Sequence, residues 1–396
     1  MKKLYIVLSV LSISFSFLHT SAAAEKKSTP KKTQGLDSMP GMSMDMSNSS
    51  TGEIKYPNLK IDGYSNIGYR YEKASKDVDD QSNSFGLGQV VLFFNSDLQE
   101  KLHVTSEIAF EFSSTDNEPG IDIERMIMTY DVSDALKISV GRFHAPISYW
   151  NIIYHHAAWM RTSVERPDLV AFEDDAGPLP IHLVGLNLTG TIFNGAVLKM
   201  DYNFGFGNGR GQKTTEVTNA FDHNAFKAFD LMLLFSPAAI DGLSFGPIGW
   251  FDRVPPNSAP SADDLADGIL ARANEMNEAI TGGFLVYNHK HIEFLSEFDY
   301  IWHNDRGGGG TFKNYGAYAQ IGYKFDKLTP YFQYDYLNYA AGDTFYAPNV
   351  LDLNGYHAGL RWDAFNFAAL KFEYEIKDEQ THSLVHAGIV DASFHF

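Results

Sequence analysis

The sequence has 396 residues, no cysteine and a formal net charge of −18 at neutral pH. The lack of cysteine excludes disulfides, thiolate metal sites and cysteine nucleophiles, and the acidic balance disfavours a nucleic-acid partner. Aromatic residues are abundant, with 30 Phe and 21 Tyr. A chain of this size without disulfides must be stabilised by buried apolar surface or by a closed sheet.

Residues 1–24 are typical of a secretory signal peptide. Lys2 and Lys3 give a basic head, an apolar run follows at 4–18, and small residues at 22–24 precede Glu25 as a cleavage site. The run is too short to cross a membrane comfortably, and no later run is long enough for a membrane helix. Cleavage would remove the two lysines and change the net charge from −18 to −20.

Residues 25–57 predict a disordered periplasmic linker. The segment is rich in Ser, Thr, Lys, Gly and Pro and lacks apolar periodicity, so it cannot bury enough surface to fold alone. Its four clustered methionines are Met39, Met42, Met44 and Met46. Thioethers are soft ligands that suit Cu(I) or Ag(I), so a metal-binding tail and a plain polar tail both remain open.

From residue 58 onward, apolar and polar side chains alternate with a period of two. In the segment 291–302, for example, Phe294 and Phe298 share one face, whereas Glu297 and Asp299 share the other. Each such segment predicts a strand with one apolar and one charged face. Sixteen segments follow this pattern: 59–71, 85–95, 101–112, 121–132, 135–143, 181–189, 194–206, 227–236, 242–253, 278–288, 291–302, 313–325, 328–339, 353–364, 366–377 and 384–396.

The connections between these strands alternate in length. Those after even strands are short, such as 289–290 and 326–327, and those after odd strands are mostly long, such as 255–277. This alternation is typical of an up-and-down transmembrane barrel with tight periplasmic turns and long outer loops. The predicted fold class is therefore all-β, a 16-stranded antiparallel transmembrane β-barrel over residues 58–396, preceded by the signal peptide and the linker.

The last strand adds an independent signal, because it alternates up to a terminal aromatic residue, Phe396. With the signal peptide and the sixteen strands, this ending resembles bacterial outer-membrane porins. The segment 125–146 is similar to strand-turn-strand units of the phosphate-selective-porin-like family. The resemblance implies an outer-membrane channel, insertion by the barrel-assembly machinery through Phe396, and a homotrimer. Aromatic residues at the strand ends match the interfacial girdles of such barrels.

If the apolar residues face lipid, the alternate residues line the lumen. The clearest lumen candidates are Glu107, Glu111, Lys199, Asp201, Glu293, Glu297, Asp299, Arg361, Lys371 and Glu373. Over the clearest strands ten acids oppose five bases, which favours cations over anions and departs from a phosphate-selective lumen. The alternative is that these charges pair with one another and set no strong preference.

The long connection at 143–180 is the third outer loop by strand count, the position that narrows the channel in sixteen-stranded porins. It is crowded with aromatic, basic and acidic residues, as functional loops often are. Its constriction candidates, with Arg142 at the strand end, are His144, Tyr149, Trp150, Arg161, Glu165, Arg166, Asp168, Glu173, Asp174 and Asp175. Its aromatic residues could line a path for solutes or pack the loop against the wall.

Two further hypotheses concern histidines. His144, His155, His156 and His182 could form a metal site with Asp174 or Asp175. Imidazole plus carboxylate suits Zn, Ni or Cu(II), although the spacing is not a known ligand motif. Ser148 lies near two of these histidines, and Ser383 lies between His382 and His386, but neither serine is in a nucleophile elbow.

The sequence therefore predicts a porin for passive diffusion of small hydrophilic solutes or ions, mildly cation-preferring and without a cofactor. A substrate-specific channel for a metal ion or a small anion, and an outer-membrane hydrolase, are the alternatives.

Overall fold

The computed structural model describes residues 56–74, 81–112, 119–171, 177–216, 220–266, 269–346, 350, 352–379 and 384–396. The predicted signal peptide, almost all of the predicted linker and the four clustered methionines lie outside these residues. So do Glu173, Asp174 and Asp175 of the long connection. The barrel itself is described nearly throughout.

Sixteen antiparallel strands close into one barrel, as the alternation predicts. Each strand pairs with its neighbours in the chain, and β1 closes on β16. The strands are β1 Asn58–Ala74, β2 Gln81–Gln99, β3 Leu102–Phe112, β4 Pro119–Ser133, β5 Leu136–His144, β6 His182–Asn194, β7 Leu198–Asn208, β8 Lys227–Pro237, β9 Leu243–Val254, β10 Met276–His289, β11 Ile292–Asp305, β12 Thr311–Tyr323, β13 Leu328–Asn338, β14 Leu353–Phe365, β15 Ala368–Glu379 and β16 Val385–His395.

The fold prediction is confirmed, and the second strand differs most in total length from its predicted range. The sequence predicts 85–95, whereas β2 runs from Gln81 to Gln99. The extra residues are mostly polar, and they continue the backbone pairing to β1 without an apolar stripe. Beyond the apolar band, backbone hydrogen bonds hold a strand together and its side chains need not alternate. The side-chain pattern therefore underestimates the length of the strand.

The two faces of the barrel differ in polarity. On β11, Phe298 is 46 % exposed on the outside, while Asp299 next to it is fully buried on the inside. On β4, Ile121 and Met126 are similarly exposed, at 68 % and 60 %. An outer belt of exposed apolar and aromatic side chains is the surface that lipid covers in a membrane-spanning barrel.

Among the described residues, helical structure is confined to loops. Between β5 and β6 lie α1 (Tyr149–Ile153) and a 3₁₀ turn (Asp168–Val170), and α2 (Ala262–Ala266) lies between β9 and β10. No helix among the described residues is long and apolar enough to cross a membrane.

Candidate functional site: the inward loop and its histidine cluster

Residues 145–171 follow β5 and residues 177–181 lead into β6; these described residues are called here the inward loop. Strand β13 lies opposite β5, eight strands away around the barrel. The inward loop reaches β13, where Val164 N donates to the Tyr331 hydroxyl at 3.2 Å. The inward loop therefore crosses the barrel interior from one wall to the opposite wall.

The first part of the inward loop is held by one carboxylate on β11. Glu297 accepts hydrogen bonds from Ser148 Oγ at 3.1 Å and from the backbone N–H groups of Tyr149 and Trp150 at 2.9 Å each. The Tyr318 hydroxyl donates to the same carboxylate. Ser148 also caps α1 by accepting from Asn151 N, so the carboxylate and the hydroxyl together satisfy the free N–H groups of the first turn.

The middle of the inward loop is held by basic side chains on two strands. Lys371, fully buried on β15, donates to the carbonyl oxygens of Ala158 and Ser163, the latter at 3.2 Å. Arg361 on β14 donates to the carbonyl oxygens of Trp159 and Arg161 at 2.8 and 2.7 Å. These are charge-assisted bonds to backbone that would otherwise be buried without partners.

Ion pairs fasten the far side of the inward loop. Asp168 in the 3₁₀ turn accepts from Lys377 at 2.8 Å, and Glu165 lies 3.1 Å from Arg70. Near the return to β6, Arg210 donates to the carbonyl oxygen of Pro178 at 2.6 Å.

Apolar packing supports the same arrangement. Side chains of the inward loop and of the wall form one buried cluster that includes Ile147, Trp150, Leu169, Leu179, Trp250, Phe284 and Tyr346. Gly316 on β12 allows one of these contacts, because a Cβ there would lie only 2.6 Å from Leu169. Tyr149 stacks on Phe284 with ring centroids 5.2 Å apart. These aromatic residues pack the loop against the wall.

The predicted lumen residues lie inside the barrel, and most of them bind another side chain or the inward loop. Glu107 pairs with Arg125 at 2.5 Å, Asp201 with Lys199 at 3.0 Å, and Glu293 accepts from Thr162 at 2.7 Å. Glu297, Arg361, Lys371 and Glu373 bind the inward loop. Glu111 accepts from Gln89 at 2.6 Å. Asp299 is fully buried and makes no side-chain hydrogen bond to any described residue.

The predicted constriction residues are spread over the barrel interior. Tyr149 and Trp150 are buried in α1, and Arg166 donates weakly to the His155 carbonyl oxygen at 3.5 Å. Arg161 and Arg142 are half-buried. His144, at the end of β5, belongs to a different group, the histidine cluster.

The histidine cluster consists of Glu124, His144, His155 and His182. All four side chains are buried, and their ligand atoms lie within 4.8 Å of one another. Glu124 Oε2 is 3.1 Å from His155 Nε2 and 2.6 Å from His182 Nε2. The rings of His144 and His155 stack with centroids 3.7 Å apart. The structure thus brings the four histidines of the metal hypothesis together, three of them in this cluster and His156 beside it on the other oxygen of Glu124.

A β-bulge places Glu124 in this cluster. In the β3–β4 pairing, Glu107 faces Arg125 and Ile108 faces Ile123, so Glu124 is the extra residue. A bulge re-aims side chains, and here both Glu124 and Arg125 are buried on the inside. Beside it, Gly141 has a φ of 136°, and a Cβ there would lie 1.9 Å from the Met126 carbonyl oxygen, so only glycine fits this approach.

Two histidines of the cluster mark the ends of the inward loop. His144 is the last residue of β5 and His182 the first of β6, and they are cross-strand partners. His155 enters from the loop itself, just after α1. His156 bridges two acids, with Nε2 3.0 Å from Glu124 Oε1 and Nδ1 3.2 Å from Glu111 Oε1. It therefore holds the second oxygen of the Glu124 carboxylate.

Titration in the loop follows from burial. Burial, together with the neighbouring His156 ring, lowers the pKa of the His155 imidazole well below its ordinary value, so neutral imidazole is favoured there. Burial, and then the Glu293 carboxylate, raises the pKa of the Tyr154 hydroxyl to about 12.

A second cluster on β13–β15 has the opposite composition. His357 Nε2 is 3.0 Å from Asp335 Oδ2, and His357 Nδ1 is 3.1 Å from Glu373 Oε1 and 3.6 Å from Glu375 Oε2. One ring thus lies among three buried carboxylates. A protonated imidazole, with a donor on each nitrogen, accounts for this arrangement as an ion-pair network.

Sequence reasoning missed Glu124, although a signal for it exists. The outward apolar residues on β4 are Ile121 and Ile123, and then Met126 and Met128. Their parity changes between residues 123 and 126, which is the mark of one extra residue in the strand. If the shift in parity is overlooked, nothing in the alternation of β4 distinguishes Glu124 from its neighbours. Ser148 caps α1 and contacts Glu297, and Ser383 lies outside the described residues.

Comparison with solved structures supports the fold. The chain is similar to the anion-selective porin of Comamonas acidovorans, with 12% identity and a TM-score of 0.57, over 86% of this chain and 100% of that one. It is similar to the outer membrane channel DcaP of Acinetobacter baumannii, with 13% identity and a TM-score of 0.55, over 86% and 97%.

A third similar structure is the trimer form of OmpT, an outer membrane protein of Vibrio cholerae, with 10% identity and a TM-score of 0.56, over 85% and 99%. No family model matches the chain, and no curated protein matches it. At these identities the likeness shows a shared barrel fold.

Proposed function

We propose that the protein is an outer-membrane porin, a channel for passive diffusion of small hydrophilic solutes or ions in which the inward loop is the constriction. The observation that carries the proposal is the course of that loop, which crosses the interior of a sixteen-stranded barrel and binds the opposite wall. Such a loop reduces the cross-section available to solutes. The fold shared with porins and the apolar outer belt support the location in the outer membrane.

The excess of buried acids inside the barrel supports a mild cation preference as part of this proposal. Among the described residues, thirteen acids and four Lys or Arg residues are buried. The acids are Glu107, Glu124, Asp201, Asp230, Asp252, Glu278, Glu297, Asp299, Asp335, Asp343, Glu373, Glu375 and Asp391, and the bases are Arg125, Arg210, Arg272 and Lys371. Carboxylates in a confined interior attract cations and repel anions, so the excess of acids favours cation passage.

The partners follow from the same proposal. Lipid covers the outer belt, and the barrel-assembly machinery would receive the C-terminal strand, whose Phe396 pairs with Gly63 at the closure between β16 and β1. The trimer form of one similar porin-like barrel supports a homotrimer here. Migration of the unheated protein in detergent gels, together with chemical cross-linking, measures the assembly state.

Conductance in a planar lipid bilayer tests the proposal. The mature protein should form discrete channels, and the zero-current potential across a KCl gradient should show preference for K⁺. A protein that inserts and folds but gives no conductance would contradict the channel function, and an anion-selective potential would contradict the charge argument.

Lys371→Met tests the role of the loop. The lysine holds two carbonyl oxygens of the inward loop and contacts no solvent, so its replacement should loosen the loop and raise single-channel conductance or its noise. Lys60→Met, on a half-exposed residue at the start of β1, is the matched control. Identical conductance for wild type and Lys371→Met would show that the loop does not limit passage.

A further inference from the structure

We infer that the histidine cluster is a binding site for one divalent transition-metal ion, with Glu124 Oε2 and the imidazoles of His144, His155 and His182 as ligands. This site is separate from the channel function and holds whether or not the barrel conducts. It differs from the sequence hypothesis in its acid, which is the bulged Glu124 rather than Asp174 or Asp175.

The ligand spacing suits such an ion. Zn–N and Zn–O bonds of about 2.0–2.2 Å in a tetrahedron place ligand atoms about 3.3–3.6 Å apart. The four ligand atoms of the cluster lie within 4.8 Å of one another, and Glu124 Oε2 is already 3.1 Å from His155 Nε2. Small side-chain movements are therefore enough to form the coordination sphere.

The orientation of His155 is fixed by an outer partner. Asn151 Nδ2 donates to the carbonyl oxygens of Ala145 and Ile181 at 3.0 and 2.8 Å, so its amide oxygen faces the ring. That oxygen lies 2.7 Å from His155 Nδ1. Since an amide oxygen only accepts, Nδ1 carries the proton and Nε2 is directed to Glu124. A ligating histidine held in this way by its other nitrogen is typical of metal sites.

The orientation of Glu124 is fixed as well. His156 holds Oε1 at 3.0 Å and is itself 3.2 Å from Glu111, whereas Oε2 lies 3.1 Å from His155 and 2.6 Å from His182. The third ring, His144, has its nearest carboxylate contact with Glu107, at 3.7 Å. Arg125, the nearest strand neighbour that could neutralise Glu124, is engaged with Glu107 at 2.5 Å. Both the acid and one imidazole thus have outer partners before any ion binds.

Charge balance favours a metal ion over protons alone. The ligand atoms of three imidazoles lie within 4.8 Å of a carboxylate oxygen of Glu124, and protonating all three rings would place several positive charges side by side in a buried space. A divalent ion accepts lone pairs from neutral imidazoles and balances the carboxylate at the same time. Imidazole and carboxylate donors suit Zn²⁺, Co²⁺, Ni²⁺ and Cu²⁺, and the absence of thiolates leaves borderline ions favoured over soft ones.

The site would fasten the base of the inward loop. His144 and His182 are paired across β5 and β6 at the two loop ends, His155 lies within the loop, and Glu124 lies on β4. One ion would therefore join two strand ends, a third strand and the loop. Partly exposed Glu111, beside His156, borders the cluster on the solvent side.

Metal binding to the folded, tag-free mature protein in detergent tests the inference. After chelator treatment and desalting, the protein should take up one Zn²⁺ per chain, and Co²⁺ should give the visible absorption of a tetrahedral nitrogen–oxygen site. His155→Ala and Glu124→Gln should each weaken Zn²⁺ binding more than about 100-fold, since loss of a ligand exceeds the roughly 10–100-fold cost of losing an outer partner.

Three control proteins separate this site from others: His291→Ala removes an exposed turn histidine, His357→Gln alters the other cluster, and deletion of 39–46 removes the methionine segment. Each should bind Zn²⁺ as wild type does. His155→Ala changes a loop residue rather than a strand, and heat-modifiable gel migration checks that each barrel is folded. Folded wild-type protein that binds no stoichiometric Zn²⁺ or Co²⁺ would overturn the inference, as would undiminished binding by both His155→Ala and Glu124→Gln.

Discussion

The two histidine clusters of this barrel use the same residue types in opposite ratios. Around Glu124, four imidazoles, including that of His156, surround one carboxylate, whereas around His357 one imidazole lies among three carboxylates. Around His357 no metal ion is needed, because one protonated imidazole can donate hydrogen bonds to carboxylates on both sides. Around Glu124, protonating the imidazoles would bring several positive charges close together. One divalent ion could instead bind neutral imidazoles and balance the charge of the carboxylate. Both clusters are buried, and it is the ratio of acids to imidazoles on which we infer a metal site at the first and an ion-pair network at the second.

The largest effect is expected from removing the imidazole that contacts all three carboxylates of the acidic cluster. His357→Leu leaves Asp335, Glu373 and Glu375 buried without it, which should cost about 3–5 kcal/mol of stability. Denaturant unfolding in lipid vesicles, followed by heat-modifiable migration, measures the change. His357→Gln, which can still donate a hydrogen bond, should lose less. An unchanged unfolding midpoint for His357→Leu would mean that these acids are protonated. It would contradict the interpretation of this cluster as an ion-pair network.

Zinc should stabilise the protein through the other cluster only. At 100 times the dissociation constant, Zn²⁺ bound to the folded state adds about 2.7 kcal/mol. The unfolding midpoint of wild type and of His357→Gln should rise with Zn²⁺ and fall with chelator, while that of His182→Gln should respond to neither. An equal Zn²⁺ response in His182→Gln would place the ion elsewhere in the chain.

A smaller loss is expected from the outer partner of His155. Asn151→Ala removes the amide oxygen that lies 2.7 Å from His155 Nδ1, and it should weaken Zn²⁺ binding by about 10–100-fold. Calorimetric titration of the metal-free protein measures the affinity. Asn304→Ala, on an exposed residue of β11, is the matched control. Undiminished affinity would show that the ring is oriented without Asn151.

The smallest effect is expected at the edge of the acidic cluster. Arg70 is 36 % exposed and lies 3.0 Å from the buried Glu375, which keeps Lys377 and His357 as other partners at 3.8 and 3.6 Å when Arg70 is removed. Arg70→Gln should change the stability by less than about 1 kcal/mol. It should leave Zn²⁺ binding unchanged, which calorimetric titration checks. A loss as large as that of His357→Leu would mean that Arg70, rather than His357, neutralises these acids.

The barrel could be read from the sequence, and the inward loop only in part. Alternation along segments such as 291–302 predicts the strands because one face of each must be apolar against lipid and the other polar. Strand count marked residues 143–180 as the third long connection. The hydrogen bonds of Lys371 and Glu297 to this loop could not be predicted, because they join residues more than 140 positions apart that only the closed barrel brings together.

The sequence alone determined the sixteen strands, their faces and the presence of several histidines near one long connection. Only the tertiary structure decided which acid meets them. Local alternation is a property of neighbours along the chain, so it specifies strands, but a coordination sphere depends on where β4, β5, β6 and the loop converge. Glu124 reaches that point because a single extra residue in β4 shifts the pleat and directs its carboxylate inward.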